Sequence, residues 1–129
     1  MSQVNPQPST VWTYNGVEME LDLTDVAVVE RYEEVIESMD SGIKNLPKEG
    51  KQSEILKAYC MLMKGIFDDL FGEGTSTKMF GEKLNATQIT EAYEDFLAFV
   101  AAQGSRVTEV QNRIVNRYSP NRAQRSANK

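Results

Sequence analysis

The chain has 129 residues, 40% of them hydrophobic and 26% charged, with 19 acidic against 14 basic side chains and a net charge of −5. That size and balance describe one folded domain, able to bury about two thirds of its unfolded surface without a disulfide or metal to hold it. With no histidine and one cysteine, Ser-His-Asp and Cys-His mechanisms are excluded and zinc or haem sites lose their usual ligands, so the expectation is a non-enzyme with no cofactor and no metal.

Residues 1–10, MSQVNPQPST, read as a polar, flexible lead-in, without a signal peptide's basic start or apolar stretch. The longest uncharged apolar runs, 58–63 and 96–102, fall well short of the roughly 20 residues a bilayer span needs. A cytoplasmic location is the expectation. Residues 11–118 form the predicted domain.

Its first element is a β-hairpin over 11–21. Asn15-Gly16 sits between two alternating runs, and a type I′ turn needs positive φ at both central positions. Trp12, Tyr14, Val17, Met19 and Leu21 alternate with polar residues, so one face buries. A lone hairpin is marginal in water and must lean on the helices that follow.

The first helix is predicted from about Thr24, capped by Asp22 or Thr24. Val28, Tyr32, Val35, Met39, Ile43 and Leu46 recur at steps of three and four, widened by Val29 and Ile36, while Glu30, Glu33, Glu34, Glu37 and Asp40 fill the other side. Gly42 weakens its last turn, and Asn45-Leu46-Pro47 closes it. The second helix starts at Gln52 or Ser53, with Ser53 able to cap. Its broad stripe, from Ile55 to Phe71, makes it the centre of the predicted fold. Cys60 within it reads as a buried, inert thiol. Asp68 and Asp69 lie near its C-terminus, mildly unfavourable against the helix dipole, and read most simply as solvated.

A corner follows, in which Phe71-Gly72-Glu73 recurs as Phe80-Gly81-Glu82 around a short helical turn over 75–80, capped by Thr75 or Ser76. Its glycines do not follow phosphate-loop spacing, and Asp68, Asp69 and Glu73 do not follow calcium-loop spacing. The third helix begins after Asn85, capped by Asn85 or Thr87, with Ile89, Ala92, Tyr93, Phe96, Leu97, Phe99 and Val100 apolar. Gln103-Gly104-Ser105 predicts a kink, since glycine costs on the order of 1 kcal/mol against alanine within a helix. The restart, Arg106 to Tyr118, carries Val107, Val110, Ile114 and Tyr118 on one face, with Arg113 and Arg117 off it. Residues 119–129 read as a basic disordered tail. The fold class is therefore mainly α, a bundle of three to four helices with an N-terminal β-hairpin.

Charge is unevenly placed. Residues 1–100 hold 18 acidic and 8 basic side chains, a net of −10, while 101–129 hold one acidic and six basic, a net of +5. That polarity favours attraction between copies head to tail, or of the basic end to another acidic surface.

The segments YNGVEMELDL, VVERYEEVIESM, FDDLFGEGTSTKMFG, EAYEDFLAFV and NRYSPNRAQR, in that order, resemble a small family of phage and prophage proteins from Gram-positive hosts, whose members look like tail assembly chaperones of long-tailed phages. The similarity runs from about Trp12 to Arg125. It implies a protein of virion morphogenesis that binds the tape measure protein, recruits tail-tube subunits in the bacterial host cytoplasm, and brings no catalytic residues with it. A chaperone for a helical client suits an apolar groove near the corner, for which Met61, Met63, Phe71, Met79 and Phe80 are the candidates, although methionine and phenylalanine at helical spacing more simply form core. Arg106, Arg113 and Arg117 are the candidates for a basic contact, bridging to the acidic first helix of another copy in a homo-oligomer. Two other readings stay open: a structural tail-completion or joining protein of the virion, and a nucleic-acid-associated regulatory protein acting through the basic C-terminus. The acidic body opposes the second of these.

Overall fold

The computed structural model describes residues 9–118. The tail expected over 119–129, and the lead-in up to residue 8, lie outside the described residues. Ser9 and Thr10 are tied to the hairpin: the Leu21 N–H donates to the Thr10 carbonyl at 2.7 Å, and the Ser9 hydroxyl oxygen accepts from the Val11 N–H at 2.9 Å.

Strands β1 (Val11–Tyr14) and β2 (Val17–Glu20) pair antiparallel, with Trp12 opposite Met19 and Tyr14 opposite Val17. Asn15 and Gly16 have φ of 52° and 80°, the left-handed pair that a type I′ turn demands. Alternation then places Trp12, Met19 and Leu21 in the core. The Trp12 ring lies 5.9 Å from Phe67 and 5.3 Å from Phe96, centroid to centroid, so the hairpin leans on two helices at once. Burying three such side chains contributes roughly 1.5–3 kcal/mol each.

Four helices follow: α1 (Val26–Lys44), α2 (Gln52–Phe71), α3 (Thr75–Phe80) and α4 (Ala86–Tyr118). The chain is mainly helical, and α2 packs against all three other helices, which places it at the centre. Its inward face, Cys60, Met63, Ile66, Phe67 and Leu70, is fully buried. Gly42 is where α1 and α2 meet closely: a Cβ there would stand 2.6 Å from Leu62 Cδ1, so the glycine serves an approach as well as loosening a turn. Among the described residues, no helix is long and apolar enough to cross a membrane.

Three helix N-caps differ from the sequence reading, while α2 and α3 begin where it placed them. The cap of α1 is Asp25, whose carboxylate accepts from the Ala27 and Val28 N–H groups; Asp22 instead holds the preceding turn through the Thr24 N–H and hydroxyl. At α2 the N-cap is Lys51, and Glu54 reaches back to its N–H at 3.4 Å, so Ser53 lies inside the helix. At α3 the N-cap is Gly74, and neither Thr75 nor Ser76 caps. Asn85 does cap α4, accepting from the Gln88 N–H at 2.9 Å.

The larger difference is α4, which runs unbroken for 33 residues through Gln103-Gly104-Ser105. Gln103 is fully buried; its amide donates to the Leu21 carbonyl while its Oε1 accepts from the Leu23 N–H at 3.0 Å. These bonds fix the helix where local propensity would loosen it, because a buried amide with both ends satisfied is costly to pull out.

Candidate functional site

The corner is built on α2. Gly72, Gly74 and Gly81 all have positive φ, which turns the chain out of α2, into the six-residue α3 and out again. A helix this short is unstable alone. Side chains one turn apart on α2 hold both its ends: Asp68 Oδ1 accepts from the Ser76 N–H at 2.7 Å, and Lys64 Nζ donates to the Gly81 carbonyl at 3.1 Å. The signs match the helix dipole, negative at the start and positive at the end. Asp68 is thus engaged by α3, against the solvated reading, while Asp69 is exposed.

This clamp decides the fate of the predicted groove. Met79 and Phe80 of α3 are driven into the core, Phe80 lying 5.8 Å from Phe67 and Tyr14 between ring centroids. Met63 is buried as well, and Phe71 is half-buried against Trp12 at 6.0 Å. Met63, Met79 and Phe80 have no surface to offer a client, so they line no open groove. The Asn15 amide donates to the Met79 carbonyl at 3.0 Å, tying the hairpin turn to the corner as well.

Met61 is the exception, 55% exposed. It stands at the edge of a depression of about 280 Å³ lined by Met61, Lys64, Gly65, Asp68, Ser76 and Thr77. Gly65 opens its floor, with nothing within 4 Å of where a Cβ would be. The result is a flexible thioether over a shelf of backbone, flanked by one cation and one anion. Cys60 lies behind it, fully buried, and burial raises its thiol pKa above the ordinary value, which keeps it protonated and unreactive.

The three arginines are elsewhere. Arg106 is half-buried and pairs with Asp22 at 3.5 Å; the Asp22 carboxyl is held below the ordinary aspartate range chiefly by the Thr24 hydroxyl, then by the Thr24 N–H and the Arg106 charge. Arg113 and Arg117 are exposed on the last turns of α4, and Arg113 pairs with Glu109 of its own helix at 3.6 Å. The structure therefore gathers no single site from the eight predicted residues. It separates Met61 at the corner from the α4 arginines. The residues missed in the sequence are Lys64, Asp68 and Gln103, which position these surfaces. Among the described residues, no group of three Asp, Glu or Cys side chains is placed to hold a metal ion.

A family model described as “Family of unknown function (DUF6673)” matches residues 15–129. The chain belongs to that family. The matched span holds the corner, the clamp and the whole of α4, so the features above are carried within the family's domain. No curated protein and no solved structure matches the chain.

Proposed function

We propose that the protein is a tail assembly chaperone of a long-tailed phage, acting in the host cytoplasm to bind the tape measure protein and bring tail-tube subunits to it. The observation that carries this reading is Met61, a large apolar side chain left 55% exposed beside an open glycine on the central helix. A flexible thioether over a bare stretch of backbone accommodates many apolar side chains in turn, the requirement for coating a long helical client of varied sequence. Lys64 and Asp68 beside it hold α3 in place and so keep the edge of this surface fixed. The resemblance of the hairpin, corner and α4 segments to phage tail chaperones supplies the client's identity.

A chaperone of this kind leaves before the particle is complete. Quantitative mass spectrometry of host cells during tail assembly, and of purified particles, tests that: the chain is expected in abundance in the cells and absent from the particles. A fixed copy number in purified particles would instead make it a structural component of the tail.

A further inference from the structure

We propose that the cleft between the start of α1 and the second half of α4 receives the α4 arm of a second copy of this chain, in a two-fold pairing. This surface is separate from the Met61 shelf and does not rest on the chaperone reading.

From Gln111 to Arg117 every residue of α4 is exposed, so the helix leaves the body as an arm. Eight residues from Gln111 to Tyr118 extend it by about 12 Å. Ile114, 54% exposed, and Val115 continue the stripe begun by Val107 and Val110, and nothing among the described residues covers them. Because α4 is unbroken through Gly104, the arm has no hinge on which to fold back over its own body.

The stripe runs directly into a cleft of about 380 Å³, walled by Leu23, Val26 and Val29 on one side and Val107 and Val110 on the other. Val26 is 71% exposed there. Glu30 and Glu33 form the rim, whereas Arg113 and Arg117 flank Ile114 on the arm. Acidic cleft and basic arm thus belong to the same chain and match each other in sign.

Val110 belongs to both surfaces, lining the cleft and the base of the arm. An antiparallel pairing of two α4 helices centred on Val110 sets Ile114 of one copy beside Val107 of the other, at the mouth of its cleft. The same symmetry brings Arg113 and Arg117 to the second copy's Glu30 and Glu33. Both apolar stripes and both charge sets are satisfied at once, the condition for a self-complementary two-fold interface. The Glu109–Arg113 pair, exposed and within one helix, is worth too little to compete with that exchange.

Sedimentation equilibrium of the full chain tests the proposal. The wild type is expected at twice the 14.5 kDa chain mass, with association weakening as salt rises. Ile114→Asp lies on an exposed position, so circular dichroism is expected unchanged while dimerisation weakens about 30-fold, the size of a hot-spot loss. Arg113→Glu with Arg117→Glu also weakens it, and adding Glu30→Arg with Glu33→Arg restores it. A monomeric wild type at low salt overturns the proposal. So does a dimer that Ile114→Asp leaves untouched, or an open-ended series of masses from head-to-tail addition.

Discussion

Lys64 and Asp68 stand one turn apart on α2 and hold opposite ends of α3, Lys64 at the Gly81 carbonyl and Asp68 at the Ser76 N–H and hydroxyl. Through that pair the central helix dictates the corner, and the corner carries Met79 and Phe80 into the core.

Asp68→Ala leaves the buried Ser76 N–H without an acceptor. The expected loss is about 1–3 kcal/mol in urea unfolding, against less than about 0.5 kcal/mol for the exposed neighbour Asp69→Ala. Equal effects from the two would mean that the clamp contributes nothing.

Gln103→Ala strips the Leu21 carbonyl and the Leu23 N–H of their partners and is expected to lower stability by about 2–4 kcal/mol, with the hairpin exit exchanging its amides fastest. In contrast, Gly104→Ala adds a methyl group into open space on an unbroken helix and is expected to raise stability by up to about 1 kcal/mol. A destabilised Gly104→Ala would show that α4 breaks there after all.

Much of this architecture is legible in the sequence because it is local. Asn15-Gly16 needs only its own two φ angles, Asn85 caps α4 through an N–H three residues on, and the α1 and α2 stripes are periodic. What was not legible depends on partners far along the chain. Gln103 sits 82 residues from Leu21, and in any short window Gln-Gly-Ser reads as a helix breaker. Asp68 looks misplaced against its own helix dipole until α3 folds back across it. The exposure of Met61 did leave a signal: Lys57, Lys64 and Asp68 lie four residues before, three after and seven after it, a polar column that marks the outward face of α2.

Asp22 makes folding acid-sensitive. Its carboxyl is held below the ordinary value of 3.8, first by the Thr24 hydroxyl, so its contribution is present above that value and is lost as pH falls through the depressed folded-state pKa. In acid titrations of unfolding, Asp22→Asn is expected to flatten the decline below about pH 4. An unchanged slope would place the acid sensitivity in other carboxylates.

Cys60, with its thiol buried and its pKa raised, is expected to react with a thiol reagent at mildly alkaline pH on the order of 100-fold more slowly in the native chain than in denaturant. Rapid native labelling would show that α2 is open to solvent behind the Met61 shelf.

The most direct measurement is co-production of this chain with the tape measure protein proposed as its client, followed by the amount of tape measure protein that stays soluble and co-purifies. The expected result is a soluble complex with the wild type and at least about a tenfold loss with Met61→Asp, which alters an exposed position. A tape measure protein that stays insoluble, or is soluble without the chain bound to it, contradicts the account.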